Sequence, residues 1–214
     1  MQPTLPTAPR TRVKICGITC VEDALTAAAA GADAIGLVFY AKSPRAVTPE
    51  AARRIVASLP AFVASVALFV NPTPAEVDVV IDTVGVDLLQ FHGDEAAAFC
   101  AGFRRPYIKA LRMKDDADLA RFAGEHATAR GVLLDAWEQE RFGGTGKTFD
   151  WQRIRPQTGS SRIILAGGLT PDNVAQAITT VRPWAVDVSS GVELAPGRKS
   201  AERIHSFINE VRRV

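Results

Sequence analysis

The chain has 214 residues, enough for one domain with a sizeable core or for two small ones. Apolar residues make up 47%, which is ordinary for a globular protein, and a formal net charge of +2 leaves no nucleic-acid footprint. No run of about 18 apolar residues occurs, so no membrane-spanning helix is expected.

The predicted elements follow one rhythm. Residues 1–11, with prolines at 3, 6 and 9, read as a flexible N-terminal leader without the apolar centre of a signal peptide. Val13 to Cys16 alternates apolar and polar residues and stops at Gly17, as a short strand ending in a turn does. Lys14 and Cys16 then share one face. The alanine-rich run Val21–Ala30 ends at Gly31 and reads as a helix with a glycine stop. Strands are expected at 34–39, 65–70, 87–92, 107–111, 131–135, 162–166 and 184–188. Helices are expected at 50–59, 74–84, 94–103, 115–125, 171–180 and 200–211, with at most a short one at 151–155. The proline at 49 and the Thr73-Pro74 pair mark helix starts.

Eight strand-then-helix units with no segment left over argue for a parallel sheet. Strands that are apolar almost throughout, such as 34–39, suit burial on both faces. Eight units close into a barrel, so the fold class is α/β, a single (β/α)8 TIM barrel over residues 12–214. An open doubly wound sheet would more naturally carry a glycine-rich turn after its first strand, whereas the glycine-rich turns here come late.

In such a barrel the active site forms at the carboxyl ends of the strands. Those ends offer Cys16, Lys42, Arg45, Gln90, His92, Lys109, Arg112, Asp135 and Asp187. Cys16 and Asp135 are the candidate base and acid, because a thiolate can abstract a proton and a carboxylic acid can supply one. The thiol would need its pKa tuned downward, with Lys14 or Arg45 as the nearby cation. Arg45 also has the shape to hold a carboxylate through two parallel bonds. Glycines cluster in three late loops: Gly143, Gly144 and Gly146 around Thr145, then Gly167 and Gly168, then Gly191 after Ser190. Such loops let backbone amides approach an anion, and the loops after strands seven and eight are the recurrent phosphate site of this fold.

Other chemistries fit less well. GGTGKT at 143–148 has Arg141 where a phosphate-binding P-loop needs its first glycine. Cys16 and Cys20 are at most half a metal site, and no second Cys/His cluster completes one. No metal and no other cofactor is expected. Three unpaired cysteines suit a reducing compartment, hence the cytoplasm.

Seven stretches stand together: Lys14 to Thr19 (KICGIT), Lys42 to Arg45 (KSPR), Gln90 to Gly93 (QFHG), Leu134-Asp135 with the glycines after it, Phe149-Asp150-Trp151, Ala166 to Leu169 (AGGL) and Asp187 to Glu193 (DVSSGVE). As a set they resemble the phosphoribosylanthranilate isomerases of tryptophan biosynthesis. The likeness runs from about Arg12 to the C-terminus. Ala46 stands where a larger, often aromatic residue is usual, and Phe91 where leucine is.

The resemblance implies an Amadori rearrangement of N-(5-phosphoribosyl)anthranilate to 1-(2-carboxyphenylamino)-1-deoxyribulose 5-phosphate. It makes Asp135 the acid that opens the ribose ring and Cys16 the base at sugar C2. Arg45 would hold the anthranilate carboxylate, with Asp187 near the substrate amine and His92 also in the pocket. Gly144, Thr145, Gly146, Gly167, Gly168, Ser190 and Gly191 would cradle the phosphate. The partner is a small phosphosugar rather than a nucleic acid or a membrane, and the protein is a monomer or a homodimer. Two other readings stay open at this point: a lyase similar to indole-glycerol-phosphate synthase, which would want lysine and glutamate at strand ends, and a non-catalytic phosphosugar binder.

Overall fold

A computed structural model describes residues 10–113, 118–136, 151, 154 and 162–214. Residues 1–9 of the expected 1–11 leader and the glycine loop at 143–146 lie outside the described residues. Eight parallel strands close a barrel in chain order: β1 (Arg12–Cys16), β2 (Ala34–Val38), β3 (Ala64–Phe69), β4 (Leu88–Phe91), β5 (Tyr107–Met113), β6 (Val132–Ala136), β7 (Ile163–Leu165) and β8 (Ala185–Val188). β1 closes on β8 with Lys14 opposite Asp187. Helices α1 (Val21–Ala30), α2 (Pro49–Ser58), α3 (Pro74–Val84), α4 (Ala97–Ala101), α5 (Leu119–Glu125), α6 (Val174–Val181) and α7 (Ala201–Arg212) lie between and after them. Among the described residues no helix is long and apolar enough to cross a membrane.

Local signals set the helix ends. Gly31 takes the left-handed conformation at φ 101° and its N–H bonds back to α1. Thr73 and Glu76 exchange side-chain and backbone bonds in a capping box at the start of α3, an arrangement worth about 1 kcal/mol.

Two apolar layers result from the strand period of two. Val66, Ile108, Ala110, Leu133, Ile164 and Ala185 fill the barrel interior. The alternate residues, such as Ile15, Leu37, Phe69, Phe91, Leu134 and Val186, pack against the helices. Cys16, Val38, Leu68 and Val70 form a smaller cluster of their own, partly covered by Tyr40.

The structure departs from the sequence expectation in three places. α4 covers Ala97–Ala101 rather than 94–103, because the residues ahead of it are held as a loop. Glu95 accepts from the N–H groups of Asn71 and Gly93, and the Asp94 N–H donates to Asn71 Oδ1 at 2.7 Å. α6 begins at Val174 rather than 171, since the Asn173 side chain ties back to Thr170 and Gly168. The expectation of no segment left over is also corrected. After β8 the chain forms a 3-10 turn, Ser190–Val192, and an antiparallel hairpin of β9 (Glu193–Ala195) and β10 (Arg198–Lys199). Its strands are too short for a hydrophobic period to show in the sequence.

Candidate active site

The carboxyl ends of the strands surround a cavity of about 670 Å³, partly open to solvent. Cys16 reaches it from β1, His92 from just beyond β4, Asp135 from β6 and Asp187 from β8; Arg45 enters from the loop after β2. Gly167, Gly168 and Ser190 border it from the loops after β7 and β8. Gly191 sits one step behind, in an adjoining hollow that shares Leu169 and Ser190 with the cavity. The expected residues at 144, 145 and 146 lie outside the described residues.

Four other candidates, Lys42, Gln90, Lys109 and Arg112, do not line the cavity; Lys42 is exposed and Gln90 fully buried. Lys109 points into the helix layer, where Nζ bonds Glu95 Oε2 at 2.9 Å and the Gly93 carbonyl at 2.6 Å. The period of two explains this: Ile108 and Ala110 take the interior positions, so Lys109 faces outward. Arg112 is half-buried and pairs with the exposed Asp94 at 2.9 Å.

The base candidate is embedded in charge. Lys14 Nζ is 2.8 Å from Asp187 Oδ1, both residues being buried. Burial by itself would lower the Lys14 pKa, but the Asp187 and Cys16 charges outweigh it and hold the ammonium above its usual value. The Cys16 thiol is also raised, but here burial is the cause. Burial pushes it up, the charges of Lys14 and Lys199 pull it down, and that of Asp187 adds to the rise, for a net upward shift. The downward tuning expected from the sequence is therefore not supplied by the protein's own charges.

Gly36 makes room for this cluster. A methyl group added there would lie 2.7 Å from Cys16 Sγ and 3.0 Å from Lys14 Nζ. Gly36→Ala is expected to cost about 1–3 kcal/mol through overpacking and to lower kcat by displacing the thiol. Urea unfolding and steady-state kinetics on the variant check both.

The acid candidate is held by a short chain of side chains. Asp135 Oδ2 is 3.0 Å from His92 Nε2, and His92 Nδ1 is 3.0 Å from Gln90 Nε2. All three residues are at least 95% buried.

Arg45 is already engaged by a carboxylate of its own chain. Its Nε and Nη2 donate to Glu193 Oε1 and Oε2 at 2.8 and 2.7 Å. Lys199 Nζ donates to Glu193 Oε1 at 2.7 Å. Burial would raise the Glu193 pKa, but the bond from Arg45 and the charge of Lys199 lower it overall, so Glu193 stays ionised. Two cations against one carboxylate leave a net positive charge beside the cavity. Sequence reasoning gave Glu193 and Lys199 no role. The bond between Glu193 and Arg45, 148 positions earlier, has no local pattern, although a glutamate and a lysine flanking the LAPGR turn were the available clue.

The chain matches the protein family described as N-(5'phosphoribosyl)anthranilate (PRA) isomerase over residues 13–210. The chain belongs to this family. The N-(5'-phosphoribosyl)anthranilate isomerase of Pseudomonas fluorescens Pf-5 is 59% identical over 205 residues, covering 96% of this chain and 97% of the relative. The crystal structure of phosphoribosyl anthranilate isomerase from Thermotoga maritima superposes with a TM-score of 0.86 at 44% identity, covering 95% of this chain and all of that one. A second, solved in complex with reduced 1-(o-carboxyphenylamino)-1-deoxyribulose 5-phosphate, has a TM-score of 0.83 at 42% identity, with coverage of 95% and 100%. The protein is thus a PRA isomerase of tryptophan biosynthesis on a TIM barrel. The lyase and binder readings fall away.

Proposed function

We propose that the PRA isomerase reaction runs here on two proton carriers, Asp135 and Cys16, without metal or redox help. The observation that carries this reading is that both side chains border one cavity from opposite parts of the barrel. Asp135 gives its proton to the ribose ring oxygen, the C1–O bond breaks, and a cationic imine forms. Cys16 as thiolate takes the C2 proton to give a neutral enaminol. The thiol then returns a proton to C1, and the enol proton goes back to Asp135. Both carriers end as they began, so the isomerisation balances without a co-reactant. The cationic imine adds a further positive charge beside Cys16 that favours the thiolate.

Arg45 orients the anthranilate carboxylate, with Glu193 fixing its fork. Asp187 and His92 line the pocket, and Asp187 also holds Lys14 beside Cys16. Gly144, Thr145, Gly146, Gly167, Gly168, Ser190 and Gly191 form the phosphate cradle. Gly167 and Gly168 have φ of 80° and 66°, a backbone in which their amides turn as side-chain-bearing residues rarely allow. The protein acts in the cytoplasm, a reading supported by three free cysteines. Among the described residues no group of three or more His, Cys, Asp or Glu could hold a metal ion.

The direct assay is the fluorescence decay of freshly made PRA with purified protein, with and without EDTA. Equal rates are expected, and a chelation loss restored by a divalent ion would contradict the metal-free reading. Gly168→Val is expected to raise KM at least tenfold with a smaller change in kcat, because a β-branched residue does not tolerate that φ. An unchanged KM would place the phosphate elsewhere.

A further inference from the structure

Gln90 is fully buried on β4, outside the lining of the cavity. Its side-chain amide has one hydrogen-bond partner among the described residues, His92 Nδ1, and its Oε1 has none. A buried amide oxygen without a partner is costly, of the order of 1–3 kcal/mol. Rotating the amide by half a turn would not remove that cost; it would leave the NH2 group unpartnered instead. The two orientations are therefore close in energy, and they impose opposite protonation on His92. With Nε2 toward the ring, Gln90 donates, Nδ1 must be bare, and His92 Nε2–H donates to an Asp135 carboxylate. With Oε1 toward the ring, Gln90 accepts, Nδ1 carries the proton, and the bare His92 Nε2 accepts from an Asp135 carboxylic acid.

We propose that Gln90 is a positioning residue whose amide turns with the proton on Asp135. It selects the His92 tautomer that matches each state of the acid. Without it, a fixed Nε2–H on His92 would favour the carboxylate and oppose the return of the proton to Asp135 after each turnover. The proposal rests on Asp135 being the acid.

The test is nitrogen-15 NMR of the imidazole rings in the full-length protein at pH 8, above the range where an imidazole ordinarily takes its second proton. The chain has three histidines, so His92→Gln assigns the signal. The mechanism begins with the proton on Asp135, so wild type should show His92 with its proton on Nδ1, and Asp135→Asn, whose amide oxygen accepts from His92 Nε2, should shift the ring toward the Nε2–H form. Gln90→Met, close in size and unable to bias the ring, should give a mixture of tautomers. Its kcat should fall about ten- to a hundredfold, the range for loss of an orienting partner, with KM within threefold. Gln90→Glu, which accepts only, should hold the ring in the Nδ1–H form. A doubly protonated or Nε2–H ring in wild type overturns the proposal whatever the variants do. So does a Gln90→Met protein with wild-type ring signals and kcat. If Asp135→Asn keeps its kcat, the acid assignment itself fails. If that variant is inactive while Gln90→Met is normal, only the role of Gln90 fails.

Discussion

Asp135→Asn is expected to lower kcat by about 10²–10⁴-fold, the usual contribution of a positioned proton donor. Asparagine matches the carboxyl in shape and keeps an oxygen to accept from His92 Nε2, now 3.0 Å from Asp135 Oδ2. The barrel and the substrate pocket should therefore survive, and KM should change by only a few fold. What is lost is the acidic proton. The ribose C1–O bond would then have to break with its oxygen leaving as an unprotonated alkoxide. Steady-state kinetics with circular dichroism and thermal unfolding separate this outcome from a folding defect.

Cys16→Ser is expected to have an effect of the same order, about 10²–10⁴-fold in kcat. Serine fits the space of the thiol and leaves the buried Lys14–Asp187 pair, with its 2.8 Å contact, undisturbed. Its hydroxyl is a far poorer base, so the C2 proton has no acceptor. The other two cysteines are controls. Cys20 is half-buried just ahead of α1 and does not line the cavity. Cys100 is buried in the helix layer, where burial pushes its thiol up to about 11. Replacing either by serine should leave kcat near wild type. A Cys100→Ser protein that loses activity only through lower stability would still fit, because its loss would follow the folded fraction.

The architecture was legible because the barrel repeats one unit. Val13 to Cys16, the run before Gly31 and the Thr73-Pro74 start carry their own strand, stop and cap signals. Cys16, Asp135, Arg45, Gly167 and Gly168 border one cavity, as the sequence led us to expect, for a related reason. A parallel barrel gathers the carboxyl ends of its strands at one mouth, so position along the rhythm implies position at the site. What stayed hidden depends on contacts between distant segments. Lys109 was misplaced because its residue type suggested chemistry while the strand period sent it outward to Glu95. The Arg45–Glu193–Lys199 cluster joins the loop after β2 to the late hairpin, and no local pattern encodes that meeting. The direction of the Cys16 shift was also missed, since burial outweighs the nearby cations and the sequence does not show how deeply a strand end is covered.

The division of labour between the two carriers is tested most directly with PRA deuterated at ribose C2, comparing kcat for labelled and unlabelled substrate in wild type, Cys16→Ser and Asp135→Asn. Removal of the C2 proton should become rate-limiting in Cys16→Ser, which should show a full primary isotope effect. Asp135→Asn should stall at ring opening, before that bond is touched, and show an effect near unity. The reverse pattern, or the same isotope effect in both variants, would contradict the assignment of Cys16 to the carbon proton and Asp135 to the ring oxygen.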